Sequence, residues 1–385
     1  MNKIFSIAIA AALGLAALLF VAGVARADDI KIAVAGPITG SDAAVGEQMR
    51  RGGVMAVADI NAKGGILGKK LALQIGDDAC DPKQAVAIAN KFAVSGVAFV
   101  AGHYCSSTSI PASAVYADAG ILEISPASTN PAYTDDPYKK GWNNVFRVCG
   151  RDDVQGKVAG DYIAEQFKGK PVAIIDDKTT YGAGLASETR KSLHAHGVTE
   201  VINESINQGD KDFSALVSRM KQAKVGVIYF GGYYTEAGLI VRQSKDQGLN
   251  APLIGGDALV TTEFWTITGA AGTGTLMTFS PDPRKIAAAA PVVAEFQKQG
   301  YDPEGYTLYT YAAVQIFAQA AAQAKSTDID KVSKVMHSAK FDTVLGQVGF
   351  DAKGDIIGPG YVMFEWNNNG KYEQIGEPMQ AGGSK

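Results

Sequence analysis

The chain is poor in the residues from which metal centres and nucleophilic active sites are built. Only four histidines occur among 385 residues, at positions 103, 194, 196 and 337, and none has the spacing of a zinc ligand set. His194-Ala195-His196 falls at a helix end with its rings pointing apart and reads as surface. There is no phosphate-binding glycine–lysine loop, no Gly-x-Ser-x-Gly elbow and no His-Glu helix pair. No nucleophile–base set emerges, so no catalytic residue, metal or cofactor is expected. Gly182-Ala183-Gly184-Leu185-Ala186-Ser187 superficially fits a dinucleotide fingerprint, but Asp177 to Tyr181 separate it from the preceding strand. That segment reads instead as a loop presenting Tyr181. Low-complexity stretches and short repeats are also missing, as is a helix-turn-helix before the first strand, which disfavours a DNA-binding regulator.

Long apolar runs are missing too, with one exception at the start. Lys3, the stretch from Ile4 to Val24 and the small-x-small site Ala25-Arg26-Ala27 have the pattern of a secretory leader, residues 1–27. The run approaches the roughly 20 residues that span a bilayer, so a membrane anchor is the alternative. The alanine-rich composition and the polar switch at Asp28-Asp29 favour cleavage, and no cysteine follows to accept a lipid. Cleavage removes Lys3 and Arg26 and leaves 34 basic against 39 acidic residues, a net charge near −5. That balance argues against nucleic acid or an anionic membrane as partner. The remaining 358 residues are too many for one simple core and predict two domains. An apolar content of 46% with 44 glycines suits α/β structure with many tight turns.

Cysteine is scarce: Cys80, Cys105 and Cys149. Export makes a disulfide plausible, and the odd number leaves one thiol over. Cys80 follows an expected strand at Lys70–Gly76 and Cys105 follows the next, Val97–Ala101, so both lie at one sheet edge and form the natural pair. Cys149 is then free.

Strand and helix alternate along the chain, which means parallel pairing and right-handed crossovers. Strands are expected at Ile30–Ala35, Leu71–Ile75, Val97–Ala101 and Ile121–Ile124, with helices at Gly46–Ala62, after Asp81-Pro82-Lys83-Gln84, and at Ile110–Ala119. That tetrapeptide supplies an N-cap acid, proline at the first helical position and a capping-box glutamine. A second series starts after Trp142–Arg147, with strands at Val172–Asp176, Val198–Glu204, Val225–Phe230 and Pro252–Gly255. Its helices are expected at Val154–Phe167, Gly184–His196, Asp212–Gln222 and Thr235–Gln247. A shorter strand, Leu276–Phe279, precedes helices at Pro291–Gln299, Tyr306–Ala322 and Ile329–Ala339. Val344–Phe350 and Tyr361–Trp366 read as antiparallel strands, and Ala381–Lys385 as a frayed end.

In open α/β sheets ligands sit beyond the carboxyl ends of the strands. Two neighbouring strand ends run into hydroxyl clusters, Gly102-His103-Tyr104-Cys105-Ser106-Ser107-Thr108-Ser109 and Ser125-Pro126-Ala127-Ser128-Thr129-Asn130. Together they can cradle a small anion such as a carboxylate, although serine and threonine also simply mark turns. In the second half, Gly231-Gly232-Tyr233-Tyr234 and Gly256-Asp257 end adjacent strands. Paired glycines allow close approach of a ligand. Asp257 is either a helix N-cap or a carboxylate for a cation. An anion cradle on one half and an acid with aromatics on the other suggest a zwitterion held between lobes, which is the logic of a binding module.

The motifs carry a family resemblance. Asp77-Asp78-Ala79-Cys80-Asp81-Pro82-Lys83-Gln84-Ala85, Gly102-His103-x-Cys105-Ser106-Ser107, Pro126-Ala127-x-Thr129, Asp176-Asp177-Lys178-x-x-Tyr181-Gly182, Lys211-Asp212-Phe213-Ser214 and Tyr229-x-Gly231-Gly232-Tyr233 occur in that order. From Ile30 to about Trp366 the chain resembles the periplasmic leucine/isoleucine/valine-binding proteins, the receptors of branched-chain amino acid ABC importers. The resemblance implies two doubly wound parallel-sheet lobes joined by a three-segment hinge, the type I periplasmic-binding fold. Residues 28–147 and 277–353 would form lobe 1, and 148–276 and 354–385 lobe 2, with crossings near Arg147–Gly150, Leu276–Phe279 and Phe350–Ile357. It implies Ser106 and Thr129, with Ala127 and Ser128, on a ligand carboxylate, Tyr233 and Asp257 on an ammonium, Tyr181 closing the site, and Cys80 bonded to Cys105. A monomer delivering a small amino acid to a membrane permease is expected, with no enzymatic activity. The resemblance also puts Tyr104 and Tyr306 against the ligand; leucine-type relatives often carry an aromatic near Val45, Glu at Asp257, a smaller apolar residue at Tyr104 and Phe at Tyr306. Those departures leave room for another small carboxylate, such as an aromatic acid, a γ-amino acid or an amide.

Overall fold

A computed structural model describes residues 29–358 and 360–376. The expected leader, residues 1–27, and the frayed end at Ala381–Lys385 lie outside the described residues. Among those described, no helix is long and apolar enough to cross a membrane.

The first half runs β1 (Ile30–Gly36), α1 (Ala43–Ala62), β2 (Leu71–Asp77), α2 (Pro82–Ser95), β3 (Phe99–Gly102), α3 (Ser106–Ala119), β4 (Leu122–Ser125), α4 (Ala132–Lys139) and β5 (Val145–Arg147). The second half runs α5 (Asp152–Gln166), β6 (Val172–Asp176), α6 (Thr180–Ala195), β7 (Ile202–Ser205), α7 (Ser214–Gln222), β8 (Val227–Gly231), α8 (Tyr234–Asp246), β9 (Leu253–Gly255), α9 (Thr262–Thr268) and β10 (Leu276–Phe279). Then follow α10 (Ala290–Lys298), α11 (Thr307–Ala324), α12 (Ile329–Ser338), β11 (Phe341–Thr343), β12 (Gly346–Val348), β13 (Val362–Trp366) and β14 (Tyr372–Ile375).

The first five strands make an all-parallel sheet in the order β2-β1-β3-β4-β5. A second sheet has seven strands in the order β14-β13-β10-β9-β8-β6-β7. Its parallel part, read from β7, repeats the order of the first sheet. Each half therefore has a switch point, between β1 and β3 and between β6 and β8, where the chain leaves toward opposite faces and a crevice opens at the carboxyl ends. Side chains alternate across the pleat: Ile32 and Val34 of β1 join the main core, while Ala33 and Ala35 face a separate cluster with Phe92 of α2 and Tyr116 of α3. The long apolar α11 lies beneath the first sheet, where Phe317 stacks on Phe99 of β3 with ring centroids 4.5 Å apart.

Several expected elements shift. α3 begins at Ser106 rather than Ile110 and α6 at Thr180 rather than Gly184, so Ser106 and Tyr181 stand in first helical turns and not in loops. Thr179 caps α6 by accepting from the Gly182 N–H at 2.9 Å. Asp81 caps α2 through the Gln84 N–H at 2.8 Å. The two tail strands do not pair with each other: β12 pairs with β11, whereas β13 lies antiparallel between β10 and β14. β10 belongs wholly to the second sheet, so the chain returns to the first half after Phe279, and residues 277–279 do not belong to lobe 1. A parallel bridge from Arg147 to Asp355 keeps the chain beside the first sheet through 355, two residues past the expected boundary.

The crossing segments are tied by a buried cation. Arg147, with no exposed side-chain surface, donates from Nε to Asp355 at 2.6 Å, from Nη2 to the Thr134 hydroxyl at 2.6 Å, and from Nη1 to the carbonyls of Ser128 and Asn130 at 2.8 and 3.1 Å. Arg151 reaches the other Asp355 oxygen at 2.7 Å. Burial alone would raise the Asp355 pKa, but the Arg147 and Arg151 guanidiniums hold it below the usual carboxylate range. Cys80 and Cys105 are joined, with Cα atoms 5.6 Å apart, and brace the loop after β2 against the start of α3. Cys149 is buried and free, and burial pushes its thiol up.

The disulfide closes a loop with a sequence separation of 25, which corresponds to roughly 3 kcal/mol in the chain-entropy model. Reduction, or the Cys80→Ser/Cys105→Ser pair, should lower the urea midpoint accordingly. An unchanged midpoint with and without reductant would show that the bridge contributes nothing to stability.

Candidate ligand-binding site between the two sheets

The loop leaving β3 is fixed from below. The buried His103 ring joins Asp78 through Nδ1 at 2.5 Å and the Tyr116 hydroxyl through Nε2 at 2.8 Å. With both nitrogens engaged, this histidine is scaffold. Its carbonyl accepts from the Ser125 hydroxyl at 2.7 Å, which locks the ends of β3 and β4 together. α3 then starts beside them. Thr108 and Ser109 N–H groups bond to the Cys105 carbonyl, so Ser106 and Ser107 carry the first N–H groups with no acceptor inside the helix. This end of α3 favours an anion.

The expected cradle residues divide. Ala127 lines a cavity between the sheets. Ser106 accepts from the Asn130 N–H at 3.3 Å, and the buried Thr129 hydroxyl has no partner. Ser128 behaves differently: its hydroxyl bonds to Ser109 and to the Tyr104 carbonyl at 3.0 Å. Its side chain is committed to the interior of the first half, so Ser128 holds the loop and does not line the cavity.

Across the gap, β9 ends at Gly255 and delivers Asp257, which is 3% exposed. Oδ1 accepts from the Tyr181 hydroxyl at 2.8 Å and from Gln155 Nε2 at 2.9 Å, and Oδ2 accepts from the Tyr306 hydroxyl. Asp257 is not the cap of α9; Thr261 fills that position. Burial raises the Asp257 pKa, and the hydrogen bonds from Tyr306, Gln155 and Tyr181 work against that rise. Gly256 is required for this arrangement, because a Cβ there would stand 2.3 Å from the Tyr181 hydroxyl. The Gly231-Gly232 pair serves packing and not ligand approach: a Cβ on Gly231 would meet the Gly182 carbonyl at 2.2 Å, and one on Gly232 the Phe230 ring at 2.5 Å.

Tyr104, Ala127, Tyr181, Tyr233, Asp257, Ala258 and Tyr306 surround a small cavity of about 10 Å³, room for about one water molecule. Tyr104 packs on Tyr233 and Tyr306 with centroids 5.7 and 5.6 Å apart, and Tyr181 packs on Tyr233 at 5.2 Å. Six of the nine expected ligand residues therefore meet at one cavity, while Ser106, Ser128 and Thr129 do not line it. Val45 is buried but is not part of the wall. The two halves touch directly. Tyr306, at the start of α11, reaches Asp257 of the second half, Tyr234 donates to the Ser41 carbonyl at 2.6 Å, and Asn130 Nδ2 donates to the Thr180 carbonyl at 2.9 Å.

Gln155 escaped the sequence reading. It holds Asp257 and also donates to the Thr278 hydroxyl at 2.9 Å, joining α5, β9 and β10. Asp152 and Gln155 stand three apart at the start of a helix, a spacing that puts both on one face. Nothing in the local sequence marks that face as buried. Among the described residues, no group of His, Cys, Asp or Glu side chains could hold a metal ion.

Comparison with known proteins matches this geometry to a family. A family model described as periplasmic binding protein matches residues 29–371. The Leu/Ile/Val-binding protein homolog 1 of Brucella suis is 51% identical over 94% of this chain and 97% of its own length. The leucine-, isoleucine-, valine-, threonine-, and alanine-binding protein of Pseudomonas aeruginosa is 41% identical over 91% of this chain and 93% of its own. Among solved structures, a leucine binding protein from Thermotoga maritima superposes with a TM-score of 0.83 at 27% identity, covering 90% of this chain and 98% of that one. A branched-chain amino acid transporter substrate binding protein from Streptococcus pneumoniae, in complex with isoleucine, gives 0.81 at 29% identity over 90% and 99%. Two sheets of matching strand order, a small cavity where their strand ends face each other and a family match over nearly the whole described chain place this protein in the periplasmic binding protein family, with the type I fold.

Proposed function

We propose that the protein is the receptor of an ABC importer, holding a small neutral amino acid between its lobes and presenting it to a membrane permease. The observation that carries this reading is the pairing of opposite polarities across one cavity. The start of α3, with Ser106 and Thr129 nearby, suits a carboxylate, and Asp257 faces it as a buried acid without a cationic partner. The names of the relatives and the isoleucine bound to the Streptococcus pneumoniae protein support an amino acid. Tyr104 and Tyr306 narrow the cavity and favour short side chains.

Closure is the mechanism. A ligand touching both half-sites stabilises the closed form by its differential affinity for closed over open. No bond is made or broken, and the receptor acts as a monomer. The leader reading fits the periplasmic family: cleavage after Ala27 leaves Asp28 as the first residue. Intact mass of exported protein checks this, and a mass retaining residues 1–27 would mean an anchored protein.

Asp257→Asn tests the polarity of the site. A hydrogen bond to a charged group contributes about 1.5–3 kcal/mol, so affinity for amino acids should fall about tenfold to a hundredfold. Carboxylic acids lacking the ammonium should bind no worse than before, whereas Ser106→Ala and Thr129→Ala should weaken both ligand types. Calorimetry on ligand-stripped protein measures all of these. Equal losses for amino acids and deaminated acids on Asp257→Asn would contradict the assignment, and a preference of the wild type for acids without an ammonium would move the reading to another small carboxylate.

A further inference from the structure

Three consecutive residues of the first half, Glu304, Gly305 and Tyr306, reach the stretch of the second half that runs from Asp257 to Thr262. They are mounted on their own side. Gln48 of α1 accepts from the Tyr306 N–H at 3.0 Å. Arg51 of α1 lies over the Tyr301 ring, 4.4 Å from its centroid. The Tyr301 hydroxyl meets that of Thr307, the first residue of α11, at 2.9 Å.

From that mount each of the three meets the other half. Tyr306 donates to Asp257. Gly305, with φ at +53°, passes so close that a Cβ there would stand 2.8 Å from the Val260 carbonyl and 2.2 Å from Gln48 Oε1. Glu304 Oε1 accepts from the Thr262 N–H and from the Thr262 hydroxyl, both at 3.0 Å, and Oε2 shares the N–H at 3.2 Å. Thr262 opens α9, so its N–H has no acceptor inside the helix. Glu304 is buried and is not part of the cavity wall. Among the described residues, its carboxylate has hydrogen bonds only to Thr262. Burial pushes the Glu304 carboxyl up, and the two Thr262 donors oppose that rise.

A carboxylate whose bonds all cross between the halves keeps its protein partners only while the halves stay together. Once they part, water meets both Glu304 and Thr262. Such a contact favours closed over open and adds nothing to the folding of either half. We propose that Glu304 is a clasp that sets how long the receptor holds its ligand without touching it, its bonds to Thr262 forming on closure and slowing release. This rests on the closure mechanism above and not on which small molecule is bound. Tyr306, two residues on, lines the cavity, so seating a ligand against Tyr306 and setting Glu304 on Thr262 belong to one movement.

Stopped-flow and calorimetry on ligand-stripped wild type, Glu304→Ala and Glu304→Gln, each with L-valine and with L-leucine, test the clasp. Glu304→Ala should weaken both ligands by the same factor, about tenfold. The loss should lie in faster dissociation, with association within about twofold of wild type, and the ligand-free melting temperature should not move. Glu304→Gln keeps one carbonyl oxygen for the Thr262 N–H and should recover part of the loss. Unchanged dissociation rates in Glu304→Ala would overturn the proposal. Losses that differ severalfold between the two ligands would make Glu304 a ligand contact, and a lower ligand-free melting temperature would make it scaffold; either overturns the clasp. Wild type that binds valine with no fall in its radius of gyration would overturn the closure mechanism itself, and the clasp with it.

Discussion

A carboxylate taken out of water and held from both lobes is the constraint around which the binding site is arranged. Asp257 stands at the end of β9 with donors from α6, α5 and the start of α11 converging on it. Removing such a group from solvent costs several kcal/mol, and neutral hydroxyl and amide donors offset only part of that. The local sequence is shaped accordingly: Gly256 leaves room for the Tyr181 hydroxyl, and Thr261, not Asp257, caps the next helix. Because Tyr306 belongs to the first half of the molecule, its bond to Asp257 also joins the lobes. A ligand that favoured the arrangement in which this contact is made would bias closure by its differential affinity for the closed form.

Closure of this kind needs crossings that bend without losing register. The Arg147 cluster meets that need. One guanidinium fixes the end of β5, the loop after β4 and the returning chain at Asp355. A buried ion pair is weak evidence for stability but breaks at high cost when one partner is removed. It therefore specifies where the segments cross more than how strongly they fold. The same loop after β4 carries Ala127, which lines the cavity, so the crossing and that part of the cavity wall share one support.

Most of the architecture could be read from local pattern because parallel α/β units are built from short apolar runs, each followed by an amphipathic helix. The strands at Val172–Asp176 and Leu276–Phe279 lie where the pattern puts them. Helix starts were harder. The hydroxyl residues that open α3 favour turns, Thr108 donates to the Cys105 carbonyl at 2.8 Å and Pro111 interrupts the run, yet here they begin a helix. α4, flanked and interrupted by Pro131 and Pro137, left no periodic signal. Pairing in the tail was misread because the local turn around Asp351 is real, with Phe350 bridging Ile356, yet the strands flanking it join different sheets. At the site, the strand-end rule brought Tyr104, Ala127, Tyr181, Tyr233 and Asp257 together, since the two switch points face each other. It could not show that Ser128 turns inward. Nor could it find Gln155, whose role depends on α5 crossing behind β9 and β10, a tertiary relation with no local signature.

The central claim is that a ligand bridging the two half-sites holds the lobes closed. Small-angle scattering on ligand-stripped protein, titrated with L-valine while calorimetry follows binding in the same buffer, tests it most directly. The account predicts a fall in radius of gyration that saturates together with the binding isotherm. Saturable heat of binding with superimposable scattering curves would contradict it.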